Sequence, residues 1–176
     1  MTVTNLLSYH RGCNSTKQLS FMNNFLSPPI PVAMAIIYQG RYLMQLRDDI
    51  PGILYPGVWG LFGGHIEPGE EPRAGLKREL IEEINYSVDE LREFRCYRDD
   101  KIIRYMFSCP LLVPIEQLQL NEGWDLALLT PQEIQRGYAY SAKAGEERSL
   151  GNIHRQIMLD FIAVARNLEK FNILSR

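Results

Sequence analysis

Six glutamates lie within residues 64–86, which read GHIEPGEEPRAGLKRELIEEINY, and they are the side chains most able to do chemistry. Glu79, Glu82 and Glu83 stand at i, i+3 and i+4, which places three carboxylates on one face of a helix. Each like-charged pair at such a spacing costs an isolated helix roughly 0.2–0.5 kcal/mol, so the pattern calls for positive charge on that face. A basic partner or a divalent cation would supply it, and a merely solvated acidic face is the plain alternative. Oxygen-only donors favour Mg2+ or Mn2+ over zinc.

A helix must carry these groups, and the local sequence supports one. Pro72 suits its first turn, Glu70 and Glu71 complement the positive end of its dipole, and Leu76, Leu80 and Ile84 form an apolar row at i, i+4 and i+8. Asn85 is a helix stop, because Asn tolerates the left-handed conformation. Before the helix stands Gly63-Gly64, where a ligand can approach the backbone closely. Further upstream, apolar runs at residues 32–38 and 41–47 flank Gln39-Gly40 and read as a hairpin. Residues 48–57 hold two prolines and two glycines and read as a loop, and residues 58–62 as a short strand that ends at the glycine pair.

Downstream, residues 91–98 and 102–113 are strand candidates. The second has almost no alternation and is expected to be buried on both faces, within limits set by Pro110 and Pro114. Residues 124–129 suggest another strand. Thr130-Pro131-Gln132-Glu133 is a capping box opening a short helix to about Arg136. Residues 138–151 read as a connection. From Asn152 as N-cap, Ile157, Phe161, Val164, Ala165 and Leu168 recur at helical spacing, giving a C-terminal helix over 152–170. The sum is a mixed α/β chain.

The 176 residues suit one domain, 28–176, preceded by a polar, partly ordered arm at 1–27. The composition, 45% hydrophobic and 23% charged, is globular, and a net charge of −2 offers no basic surface for polymeric nucleic acid or an anionic membrane. Cys13, Cys96 and Cys109 are widely separated. They suggest reduced thiols of a cytoplasmic protein rather than a zinc site, with Cys96 and Cys109 in the core. No apolar run approaches the ~20 residues of a membrane span.

Gly64, five residues, Glu70, seven residues, then Arg78-Glu79-Leu80-Ile81-Glu82-Glu83 closely resembles the signature box of the Nudix hydrolase superfamily, G-x5-E-x7-R-E-U-x-E-E-x-G-U with U bulky and apolar. Two positions depart from it. Asn85 replaces the final Gly, a conservative change for the backbone, and Tyr86 replaces the last aliphatic residue. The resemblance implies an α/β/α sandwich with a mixed sheet. It also implies a Mg2+-dependent hydrolase, with Mn2+ as a substitute, that cleaves a phosphoanhydride in a small nucleotide, either a nucleoside diphosphate linked to X or a nucleoside triphosphate.

Carried over residue by residue, the resemblance makes Glu82 and Glu83 metal ligands, joined by the main-chain carbonyl of Gly63 or Gly64. Glu79 is a further ligand or the base that activates water, and Glu70 is a ligand or a brace for the loop. Arg78 is expected to hold a box carboxylate in place. Glu122 matches the place where some relatives carry another metal-binding or basic glutamate. Arg47 is a candidate phosphate contact set against an ordinary surface arginine, and His65 a candidate substrate contact set against a solvent-exposed loop residue. A homodimer is compatible with the family. Two other readings are a nucleotide-binding Nudix module without turnover and an isopentenyl diphosphate isomerase-like enzyme. No cysteine here matches the isomerase's catalytic one.

Overall fold

The computed structural model describes residues 27–53 and 55–174, with side chains described to residue 167. The arm expected at 1–27, apart from its last residue, lies outside the described residues, as does Cys13. Strands β1 (Ile30–Tyr38) and β2 (Tyr42–Leu46) form the expected hairpin, with Ile37 opposite Leu43 and Tyr38 opposite Tyr42. The turn passes through Gly40 at φ +69°.

Beyond that turn the two strands part, and a strand in two pieces enters the fork. β3 (Trp59–Gly60) pairs with β2, Gly60 opposite Gln45, and β4 (Phe62–His65) pairs with β1, Phe62 opposite Ala35. Leu61, between the pieces, sits where the ladder changes partner. Its N–H donates to His154 Nδ1 at 3.1 Å and its carbonyl accepts from Gln45 Nε2 at 3.5 Å. Backbone groups that fall between two ladders are satisfied by side chains, as burial demands.

β1 also pairs in parallel with β6 (Ile102–Pro110), which carries the antiparallel edge strand β5 (Arg92–Arg98). β7 (Asp125–Leu129) covers the far side of β2. Helix α1 (Pro72–Ile84) lies on one face of this seven-stranded sheet, its Leu76, Leu80 and Ile84 packed with Ala33, Ala35, Ile37, Phe62 and Phe107. Helices α2 (Pro131–Arg136) and α3 (Asn152–Leu174) lie on the other, where Ile134, Ile157, Met158 and Ile162 meet Met34, Ile36, Met44 and Met106. The alternation of β1 between the two cores makes the sheet the middle layer of the expected α/β/α sandwich. Both faces of β6 are buried, by Met106 on one side and Phe107 and Cys109 on the other.

Five expectations need correction. The strand before the box does not stop at the glycine pair: Gly63 and Gly64 lie in β4, opposite Met34 and Ala33. At φ +124°, a Cβ on Gly63 would collide with the carbonyl of Ala33, so glycine is what lets this strand lie flush rather than what ends it. Residues 138–151 are no simple connection. They form the hairpin β8 (Tyr138–Ser141) and β9 (Glu146–Ser149), whose first strand alternates exposed and buried. Asn152 is inside α3, because Gly151 already accepts the N–H of Arg155 at 2.8 Å. The helix runs on to Leu174. Cys96 is exposed on the edge strand, whereas Cys109 is buried.

Candidate active site

α1 begins at Pro72 and ends as its sequence demands. Asn85 adopts φ 51°, ψ 37°, its N–H bonds Ile81 O at 2.9 Å and the Tyr86 N–H bonds Leu80 O at 3.1 Å, so the last carbonyls are capped. Tyr86 is a packing change, since its hydroxyl donates to Pro110 O and accepts from Leu112 N–H. Full burial of Leu76, Leu80 and Ile84, at about 1.5–3 kcal/mol for each such side chain, fixes the rotation of the helix. Glu83 is thereby turned inward, while Glu79 and Glu82 remain at the surface of the sheet's fork.

Arg78 answers much of the repulsion. Its Nε and Nη2 form a two-pronged pair with Glu70 at 3.1 and 3.0 Å, and its Nη1 reaches Glu79 Oε1 at 2.9 Å and Glu82 Oε2 at 3.1 Å. Nη2 also donates to the main-chain carbonyl of His65 at 3.0 Å. Surrounded by carboxylates, the guanidinium is held more firmly protonated than usual, and the Glu70 carboxyl is held below its ordinary range chiefly by Arg78. Glu70 Oε2 further accepts the Glu67 N–H at 3.0 Å. The carboxylate rests on Gly75, where a Cβ would come within 2.8 Å. Glu70 therefore braces the box loop with both oxygens.

Glu83 is 5% exposed, and its two oxygens accept from Gln45 Nε2 at 3.1 Å and Gly63 N–H at 2.7 Å. Burial pushes its carboxyl up to about 7; those two hydrogen bonds oppose the shift and the charges of Glu79 and Glu122 add to it. Glu122 is thus placed beside the box. Its loop is pinned by Asn121, whose N–H donates to Glu83 O and whose Nδ2 donates to Glu82 O, both at 2.8 Å. The Trp124 N–H, bonded to Leu46 O at 2.8 Å, pins the other end.

Among the described residues, no three His, Cys, Asp or Glu side chains already converge as a closed metal cage. The donor set nevertheless fits a hard divalent cation. Arg78 takes one oxygen each of Glu79 and Glu82 and leaves Glu79 Oε2 and Glu82 Oε1 outside its grip. Glu79 Oε2 lies so close over Gly64 that a Cβ there would come within 2.5 Å of it. Carboxylate oxygens with no nitrogen or sulfur donor among them are what a hard cation such as Mg2+ or Mn2+ takes.

The other two candidates are placed differently. The His65 side chain is exposed, and the residue enters the site through its carbonyl to Arg78. Arg47 donates its N–H to Val58 O at 3.0 Å, and its positive charge bears on His154 on the α3 side. Sequence reasoning missed Gln45, Asn121 and Gly75. Gln45 carried a signal, a polar residue in the otherwise apolar run of β2, but its partners are 38 and 16 positions away.

Comparisons with known proteins bear on the family and the fold. The chain is 29% identical over 112 residues to the nucleoside triphosphatase NudI of Escherichia coli, an alignment covering 54% of this chain and 77% of the relative. A NUDIX hydrolase from Nitrosomonas europaea superposes with a TM-score of 0.56 at 22% identity, over 77% of this chain and 89% of that one. A MutT NUDIX hydrolase from Burkholderia pseudomallei gives 0.54 at 17% identity, over 72% and 93%. Likeness at these identities is one of fold. The family model described as the NUDIX domain matches residues 28–148, and the chain belongs to that family.

Proposed function

We propose that this protein is a Mg2+-dependent hydrolase of a phosphoanhydride in a small nucleotide, with Mn2+ as a working substitute. The observation that carries the reading is the clustering of Glu79, Glu82 and buried Glu83 on α1 beside Gly63 and Gly64, with Arg78 bracing Glu79 and Glu82 and the Gly63 N–H holding Glu83. Glu79, Glu82 and Glu83 would hold the cation together with the main chain at Gly64. Such a cation would supply charge neutralisation for the pyrophosphate and acidify a water.

The protein's own groups do the rest. The oxygen of a water forms the new bond to phosphorus as the bridging P–O bond breaks, and the water's proton passes to a carboxylate. Glu79 and Glu122, the two acids whose charges bear on Glu83, are the candidates to take it. Arg78 keeps Glu79 and Glu82 oriented and Glu70 holds Arg78, an outer support of the kind that tunes metal ligands. NudI is named a nucleoside triphosphatase, which supports a nucleoside triphosphate over a nucleoside diphosphate linked to X. The widely spaced cysteines suit a reducing cytoplasm. No described helix is long and apolar enough to cross a membrane.

A panel of nucleoside triphosphates and nucleoside diphosphate conjugates, incubated with Mg2+ or Mn2+ and resolved by mass spectrometry, tests this reading. Product should form only with metal and should be lost in Glu82→Gln. Turnover of no nucleotide, or an unaltered rate in that variant, overturns it. The Glu79→Gln and Glu122→Gln pair separates the two proton acceptors.

A further inference from the structure

We propose that Gln45 is a positioning residue of this site, a buried amide that sets the Glu83 carboxylate and the Glu122 loop in one register with the Gly63 edge. The inference rests on the cation-dependent hydrolysis proposed above. Gln45 lies on β2, 3% exposed, and its Nε2 donates to Glu83 Oε1 at 3.1 Å and, more weakly, to Leu61 O at 3.5 Å. With Gly63 N–H on Oε2, it fixes Glu83 from two sides and leaves further lone pairs on both oxygens.

The other end of the same amide meets the loop. A Cβ on Gly123 would come within 2.9 Å of Gln45 Oε1 and 3.1 Å of Leu46 O, and the residue adopts φ +93°. Glycine at 123 is therefore required for both conformation and space, and the backbone beside Glu122 rests directly on Gln45. One side chain thus spans strand, helix and loop.

The chemistry explains why an amide stands there. It donates to a carboxylate without bringing charge. Lysine at 45 would place a competing cation inside the cluster, and glutamate would add another acid beside Glu79, Glu83 and Glu122. An apolar residue would leave buried Glu83 Oε1 without its donor. Were Gln45 only a cap for Leu61 O, its shorter bond would not go to Glu83.

The test compares the wild-type chain with Gln45→Met, which keeps the length and removes the donor, and Gly123→Ala, which pushes the loop off the amide. Mn2+ binding by electron paramagnetic resonance, in the absence of nucleotide, is measured beside kcat and KM. In both variants the Kd for Mn2+ should rise about 10–100-fold, the range for lost outer supports of a metal site. Turnover should fall with little change in nucleotide KM, and circular dichroism should match the wild type. If Gln45→Met does not fold, Gly123→Ala decides. Wild-type Mn2+ affinity in a folded variant overturns the inference while leaving the proposed function intact. A wild-type chain that neither binds Mn2+ nor hydrolyses nucleotide overturns both.

Discussion

Glu83 and His154 flank the fork in the sheet, one on the α1 side and one on the α3 side, and burial drives each toward its neutral form. The Glu83 carboxyl is pushed up to about 7 and the His154 imidazole down to about 4. In each case neighbours of like charge add to the shift: Glu79 and Glu122 beside the acid, Arg47 and Arg104 beside the base. The same burial therefore has opposite consequences for a cation. Positive charge arriving on the α1 side relieves the crowding of carboxylates, whereas on the α3 side it would join two arginines. The proposed chemistry lies on the first face, and the contacts of His154 hold the second together. His154 Nδ1 accepts the Leu61 N–H, and the ring lies against Gly60 and Gly151, where added Cβ atoms would come within 3.6 and 3.0 Å.

The largest effect should come from breaking the acidic side. Glu83→Gln should lower hydrolysis by at least about 100-fold, beyond the 10–100-fold typical of outer supports, while its circular dichroism keeps the wild-type spectrum. Wild-type turnover in that variant would mean that the division between the faces is wrong. Arg78→Ala releases three carboxylates at once and should cost about 10–100-fold in metal affinity or rate. Arg78→Lys should not restore it, because a single ammonium cannot reproduce the fork to Glu70.

The basic side should fail differently. His154→Leu leaves the buried Leu61 N–H unpaired and should lower stability by about 1–3 kcal/mol, read by urea denaturation, while the Mn2+ affinity stays at the wild-type value. The same residue sets a pH window. Its folded pKa of about 4 lies below the ordinary 6.5, so between those values the unfolded chain binds more protons. Its contribution is full above about pH 6.5 and lost as pH falls toward 4. His154→Leu should flatten that part of the stability curve; an identical curve in both proteins would remove His154 from the account.

The smallest effect tests the box's departure from its pattern. Asn85→Ala should cost about 1–2 kcal/mol, the penalty of a left-handed residue with no compensation, and Asn85→Gly should be neutral or slightly stabilising. A destabilising glycine would show that the Asn85 side chain does more than tolerate its backbone angle.

Much of this site could be read from local sequence. Glu79, Glu82 and Glu83 share a face because helical periodicity is a property of neighbouring residues, and the apolar row of Leu76, Leu80 and Ile84 states which side is buried. The capping box at Thr130 forms as its four residues predict, with the Glu133 N–H donated to Thr130 Oγ1 and the Thr130 N–H donated to Glu133 Oε2. Strand limits near glycine were harder to read. Gly63 looks like an interruption in sequence, but the carbonyl of Ala33, thirty positions earlier, makes it a requirement.

By itself the sequence determined the acidic helix, its stop at Asn85, the two-sided burial of β6 and the family, because each depends on periodicity or spacing within a short window. Tertiary structure alone decided that Arg78 grips three carboxylates, that Glu70 braces the loop, and that Gln45, Asn121 and His154 surround the fork. Those contacts join residues far apart in the chain. Which atoms meet there depends on how β1 and β2 part to admit β3 and β4, a geometry no local pattern records.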